Sequence, residues 1–477
     1  MEKRTIFSVV RLCAVAAISM IIALFVFASG KTYADAAESE GASITVYSWE
    51  DYMEVGEEGN ITADNDLIYK FEQETGISVE YVTFATNEDM YNELIKNPDG
   101  CDLICPSEYM IMKMRDENLL KAYTAPENWV TYGSPYIKQI FEELGMNTED
   151  GKTYAIGYMW GTMGFLYNMD KTSAEELKNW NSIWGEKFKG KVTIKDSIRD
   201  SYIMTLGALY QDELLALDKN AADYSDKLFT IFNRTDDKTV SEVEKLLKDL
   251  KKNLYGFEVD SGKNDIITGK IDVNFAWSGD AVYTIDEGEE LGKNFGYVVP
   301  EEGSNVWFDG WVMPKNADEE NAVKFLNFIS APESAMRNMD YIGYVSCIAG
   351  DEVFEYVKEQ EDSEGENVVN LGYFFGGSDD VYNVRVEDLN KQLATQYPDY
   401  SVIQRCAVMD NFDSETLDKI NEMWNRVKFI TFPTWAIILI VVGVVLIIGV
   451  IVVIRYREKI AAAFGKNKKK TAKQGNK

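Results

Sequence analysis

The chain has 477 residues, 46% of them apolar, enough to bury a large core in more than one lobe. It contains no histidine, which excludes a His-ligated metal site and any catalysis that uses imidazole as a base. Its net charge of −31 repels nucleic acid and anionic headgroups and draws cations toward the surface.

Residues 12–30 are uncharged and follow Lys3, Arg4 and Arg11, and Ala34-Asp35-Ala36 offers a small-x-small cleavage site. Residues 1–36 therefore read as a signal peptide or an N-terminal anchor. Alternating β-branched residues predict a strand over 44–47, the spacing of Leu67, Ile68 and Phe71 predicts a helix over 66–75, and 77–84 returns to a strand. A helix over 88–96, a buried strand over 101–105 ending at Pro106 and a helix over 109–117 continue the alternation. This order implies an α/β fold with a parallel sheet and crossover helices, in which ligands meet the loops at the carboxyl ends of strands. Residues 154–168 are strand-like with glycines at 157, 161 and 164, a suitable crossing between lobes.

A second lobe follows, with a strand over 191–194, a turn over 196–200, helices around 201–212 and 240–252, and a strand over 273–277. Residues 296–300 and 306–314 lead back to the first lobe, which helices over 317–328 and 333–339 complete. The stretch 351–400 is acidic, has few repeating apolar positions and receives no assignment. A helix over 416–428 runs into 429–454, which is uncharged and, at about 1.5 Å per residue, long enough to span a bilayer. The tail, 455–477, sets nine Lys or Arg against the single acid Glu458, which places it on the cytoplasmic side and the middle of the chain outside. The expected division is 1–36 as signal or anchor, 42–155 as the first part of lobe 1 and 156–309 as lobe 2. Residues 310–428 return to lobe 1 with closing helices, 429–454 form a transmembrane helix, and 455–477 form the basic cytoplasmic tail. Cys101 and Cys105, four residues apart on one strand, stand about 13 Å apart, too far for a bridge.

Aromatic rings stand beside carboxylates in Trp49-Glu50-Asp51-Tyr52, Ser107-Glu108-Tyr109, Trp277-Ser278-Gly279-Asp280 and Trp307-Phe308-Asp309. A slender organic cation leaving water needs a counter-charge for each ammonium and an apolar wall for its methylenes, and these segments supply both. Trp307 and Asp309, two apart, fall on one side of an extended strand. Two of the segments, 49–52 and 107–109, each follow a predicted strand and so share one sheet edge.

The order of segments resembles the spermidine/putrescine-binding proteins that deliver polyamines to bacterial ABC importers. The motifs that carry the resemblance are YSWEDY (47–52), FEQETGISVEY (71–81), DLICPSEY (102–109), GYMWGT (157–162), WNSIWGEKFKGKV (180–192), AWSGDA (276–281), EEGSNVWFDGWVMP (301–314) and IGY (342–344). The resemblance implies a two-lobed, periplasmic-binding-protein-like fold with a hinge and central cleft, anchored outside the cell and docking on permease subunits. It implies an aromatic box of Trp49, Tyr52, Tyr109, Trp277, Trp307 and Tyr344. Asp51, Asp200 and Asp309 become amine ligands, Ser107 a hydrogen-bonding partner, and Asp410 falls where the family has an amide. Ser197 stands where the family often has an acid. The partners expected are a polyamine and an ABC permease, with no nucleic acid, no cofactor and a monomeric exported domain.

An enzyme is disfavoured by the absence of a GxSxG turn and a P-loop, and because adjacent Glu50 and Asp51 on a strand point to opposite faces. Alternatives of the same fold are a binding protein for another cationic or small solute and a sensor domain without a transport role.

Overall fold

The computed structural model describes residues 41–429, apart from 58, 362–366, 378–379 and 387–391. The expected leader and the apolar run with its basic tail beyond 429 lie outside the described residues, among which no helix is long and apolar enough to cross a membrane. The chain forms two compact units, one from 41–162, 277–297 and 306–411, the other from 163–276, 298–305 and 412–429. In chain order the first strands are β1 (Ser43–Trp49), β2 (Ser78–Phe84), β3 (Leu103–Ile104), β4 (Leu120–Lys121), β5 (Ala155–Asn168), β6 (Val192–Lys195) and β7 (Leu254–Glu258). There follow β8 (Val273–Trp277), β9 (Phe295–Val298), β10 (Ser304–Pro314), β11 (Val345–Ser346), β12 (Asn367–Asn370), β13 (Asn383–Val386) and β14 (Cys406–Ala407).

In the first unit the sheet runs β2-β1-β3-β10-β5, with β11 on β5 and both β4 and β14 on β10. β1 pairs in parallel with β2 and β3, as the alternation predicts. β10 is antiparallel to β3 and β5, so the sheet is mixed where a parallel one was expected. The helix period gives no information on a returning strand that is not preceded by a crossover helix. Helix Leu67–Thr75 begins at Asp66, whose carboxylate accepts the Tyr69 N–H, and ends at Gly76 in the left-handed conformation. Its Phe71 packs against Phe325 and Phe328, with centroids 5.2 and 5.5 Å apart, and this cluster closes one face of the sheet. β5 is buried along nearly its whole length, which is why its sequence reads as one unbroken apolar run instead of alternating.

The stretch that sequence periodicity left unassigned contains helix Asp351–Glu361, the antiparallel pair β12–β13 and helices of four or five residues. Pieces that short carry no period, and a cluster of Phe354, Phe374, Phe375, Tyr382 and Tyr397 gives them their core.

In the second unit β6 pairs in parallel with β7 and β8. The final helix, Ser414–Lys428, lies on helix Asp237–Leu250 through Arg426 to Glu244 at 2.9 Å and Lys419 to Asp237 at 2.7 Å. Trp424 packs against Phe257 of β7, with centroids 5.4 Å apart.

None of the four cysteines among the described residues forms a disulfide: Cys101, Cys105 and Cys347 are buried and Cys406 is half-buried. Burial pushes the Cys105 and Cys347 thiols well above the ordinary range, and the nearby Asp309 charge adds to the rise.

Candidate functional site

β1 ends at Trp49, whose indole lies 4.7 Å from the Phe84 ring at the end of β2. The chain then turns through Asp51, exposed and left-handed at φ 49°, a conformation that Asp tolerates better than most side chains. The turn delivers Tyr52 inward to 6% exposure, and its hydroxyl donates to Asp309 Oδ2 at 2.6 Å. Tyr158 on β5 fixes this segment by donating its own hydroxyl to the Tyr52 carbonyl at 2.7 Å.

A second loop follows β3. Ser107 occupies the N-cap position of helix Glu108–Asp116 but makes no capping bond. Instead its hydroxyl donates to Asp309 Oδ1 at 2.7 Å. Asn87, buried at the start of helix Asn87–Lys96, aligns this loop. Its Oδ1 accepts the Ser107 N–H at 3.2 Å, and its Nδ2 donates to Ser107 Oγ at 3.2 Å and to the Tyr109 hydroxyl at 2.9 Å.

Asp309 is therefore held on both oxygens. It stands on β10 where the pairing with β5 shifts register between Asp309 and Gly310, a bulge that re-aims the side chain. Two residues earlier, Trp307 is 7% exposed and donates its indole N–H to the Thr162 carbonyl at 3.4 Å. Gly161 makes room for that indole, since a Cβ there would stand 2.7 Å from Trp307 Cζ2 and 2.3 Å from Ser278 Oγ. The Trp307 ring lies 5.7 Å from Tyr344, which meets Tyr52 edge-on at 5.4 Å. The Tyr344 hydroxyl in turn donates to Asp280 Oδ1 at 2.9 Å. Asp280 sits in the first turn of helix Ser278–Glu290, where the helix dipole favours a negative charge.

The result is a row, Asp309, Tyr52, Tyr344 and Asp280, with Trp307 flanking it. Burial holds the Tyr52 hydroxyl well above its usual range, and Asp309 reinforces the shift, so Tyr52 stays a donor. Glu108 beside Ser107 is raised to about 8, first by burial and further by Asp309, against hydrogen bonds that lower it. Two buried carboxylates with rings between them suit ammonium groups joined by an apolar linker, because each charge finds a counter-charge and the linker finds π faces. Among the described residues no group of three or more His, Cys, Asp or Glu could hold a metal ion.

Of the residues singled out from sequence, Tyr52, Ser107, Trp307, Asp309 and Tyr344 are joined by direct contacts. Tyr109 joins through Asn87. Trp49 and Asp51 precede Tyr52 at the end of β1, and Trp277 occupies the N-cap position of the helix that carries Asp280, with no side-chain capping bond. Asp410 is half-buried in the first unit and follows Met409, whose N–H reaches Glu108. Asp200 belongs to the second unit, 8% exposed in the first turn of helix Ile198–Leu209. Ser197 is the N-cap of that helix, accepting the Asp200 N–H at 3.5 Å, which gives the serine a structural role. Sequence reasoning noted Glu108 and Asp280 as the acids of two aromatic–carboxylate segments without choosing them as site residues, and it did not single out Asn87. Asp280 was in view within the AWSGDA motif; Asn87 is a lone amide whose role shows only in its contacts with Ser107 and Tyr109.

A family model described as bacterial extracellular solute-binding protein matches residues 66–352. A spermidine/putrescine-binding periplasmic protein of Escherichia coli is 28% identical over 302 residues, covering 62% of this chain and 75% of that protein. A putrescine-binding periplasmic protein of the same organism is 26% identical over 325 residues, covering 65% and 79%. The crystal structure of a spermidine/putrescine ABC transporter substrate-binding protein from Streptococcus pneumoniae aligns with a TM-score of 0.53 at 26% identity, over 81% of this chain and 98% of that one. Two α/β units, a mixed sheet and this likeness make the fold periplasmic-binding-protein-like. The match over more than half of its length places the chain in the family of bacterial extracellular solute-binding proteins.

Proposed function

We propose that this protein captures polyamines, spermidine or putrescine, and delivers them to an ABC importer. The observation that carries the reading is the clamped Asp309, held by Tyr52 and Ser107 at one end of an aromatic row that Asp280 closes at the other. The relatives that bind spermidine and putrescine support the choice of ligand over another small solute. In this reading Asp309 pairs with one ammonium, Trp307 and Tyr344 cover methylenes, and Asp280 offers a second counter-charge. Trp49, Asp51, Tyr52, Ser107, Tyr109, Trp277 and Asp410 complete the ligand set in the first unit. The activity is capture and not catalysis. The apolar run 429–454 tethers the protein outside the cytoplasm, with the basic tail inside and a permease beside it at high effective concentration.

Calorimetric titration of the purified protein with spermidine and putrescine tests the assignment. Asp309→Asn is expected to weaken binding by about 2–5 kcal/mol, most of it the penalty of an ammonium buried without a partner. Unchanged affinity in that variant, or tight binding of an uncharged or anionic solute in its place, rejects the reading.

A further inference from the structure

Helix N-termini commonly carry an acid on the surface, where it faces the dipole and water. Glu108, the first residue of helix Glu108–Asp116, has no exposed surface at all. Its Oε2 accepts the N–H of Phe308 at 3.0 Å and its Oε1 the N–H of Met409 at 3.4 Å. The first of these bonds prolongs the hydrogen bonding between β10 and the loop after β3. β3 is only two residues long, and the register it sets with β10 at Val312 and Ile104 continues through the loop as a bridge between Ser107 and Asp309, stopping where helix Glu108–Asp116 begins. The Gly310 N–H goes to the Pro106 carbonyl at 3.0 Å, and the next inward-facing amide, Phe308, is taken by the Glu108 carboxyl. A side chain thus extends the ladder past the end of its strand, on the edge where Asp309 departs from register.

Each backbone group tied to Glu108 is adjacent in sequence to a member of the candidate ligand set: Phe308 to Asp309, Met409 to Asp410, and Glu108 itself to Ser107. Unbonded, the Phe308 and Met409 amides would be left with no partner from this side, and the three segments would lose their common anchor.

We propose that Glu108 is a positioning residue for polyamine capture, a carboxyl clasp that sets the loop before it, the bulged stretch of β10 and the segment after β14 in one arrangement. The inference rests on the polyamine reading for what is captured, but the clasp itself stands on the ligand-free geometry. It has a consequence for protons. The charged group facing Glu108 from β10 is Asp309. Asp410 follows Met409 on the third segment, and on its own helix the next charged residue, Lys113, is engaged by Glu117. With like charge opposite and burial around it, the Glu108 carboxyl is held near pH 8. An ammonium arriving at Asp309 cancels the opposing charge, so Glu108 releases its proton as the cation binds.

Two measurements on the full chain decide the proposal. Hydrogen exchange with peptide resolution, without ligand, is expected to show at least one of the Phe308 and Met409 amides exchanging at least tenfold faster in Glu108→Gln than in the unaltered protein. An amide can accept from only one of those two groups. Unchanged exchange at both overturns the clasp whatever the ligand proves to be. Should Glu108→Gln fail to fold, Glu108→Asp, which keeps the carboxyl but withdraws it by one methylene, is read in the same way. Spermidine titrations at pH 7.5 in buffers of different ionisation enthalpy then count protons. The unaltered protein is expected to release a substantial fraction of one proton and the Glu108→Gln protein none, with affinity at least tenfold lower. Equal proton release and affinity in the two overturn the positioning role. Absence of spermidine and putrescine binding in the unaltered protein sinks the polyamine reading and leaves the exchange result to decide the clasp.

Discussion

A hydroxyl that donates to a carboxylate does more than stabilise it: Tyr52 and Ser107 fix where the negative charge of Asp309 points, and the rings are fixed with the same tightness. Gly161 is the clearest case, because a methyl group there would stand 2.7 Å from the Trp307 indole and 2.3 Å from Ser278 Oγ. Gly161→Ala is expected to push Trp307 out of the row and weaken polyamine binding about tenfold or more, with a changed tryptophan emission spectrum, while Gly256→Ala, where a Cβ meets nothing within 4 Å, leaves both intact. Equal affinity in the two variants contradicts the packing argument. Asp309 and Trp307 were legible in the sequence because strand period and acid-next-to-ring composition both survive in a short motif, whereas Tyr344 was marked only by the family resemblance of IGY (342–344). Asp280 was visible but not chosen, since nothing in a sequence says that a helix's first turn will face a tyrosine some sixty residues later in the chain. Asn87 was illegible, because a lone amide reveals its role only through what it touches.

At the scale of the element, one helix start is used in an unusual way. Where Asp66 caps helix Leu67–Thr75 by accepting from Tyr69 N–H, Ser107 leaves its own helix uncapped and spends its hydroxyl on Asp309. The two positions should therefore respond oppositely. Asp66→Ala is expected to lower unfolding stability by about 1 kcal/mol without altering the ligand set. Ser107→Ala is expected to leave stability nearly unchanged and to reduce polyamine affinity several-fold, read by denaturant unfolding and by calorimetry. A stability loss at Ser107 equal to that at Asp66 would show that the hydroxyl caps after all. Strands β1 and β2 and the helix between them follow from their periods, and β3 from its buried run. The antiparallel entry of β10 and the small elements of 351–411 do not, the first because pairing direction is set by the path of the chain, the second because aromatic clustering replaces periodicity.

At the scale of the whole molecule, charge and ends matter more than contacts. The net charge of −31 includes a tail with nine basic residues and one acid, so the remainder is more acidic still and attracts cations over several ångströms of solvent. Deleting residues 430–477 is expected to move the protein from the membrane fraction into the soluble or secreted fraction with polyamine affinity unchanged. Retention of the shortened chain on membranes shifts the anchoring role to residues 1–36. The apolar length and the basic flank that motivate this tether are sequence properties, legible without any fold.

The cysteines have a practical consequence. Three of the four thiols among the described residues are shut inside the first unit, and those of Cys105 and Cys347 resist ionisation. Alkylating reagents attack thiolate, so these side chains stay silent while the unit is intact and react once it opens. Pulsed labelling followed by mass spectrometry thus turns them into built-in clocks of unfolding, with the half-buried Cys406 replaced by serine so that it does not react first.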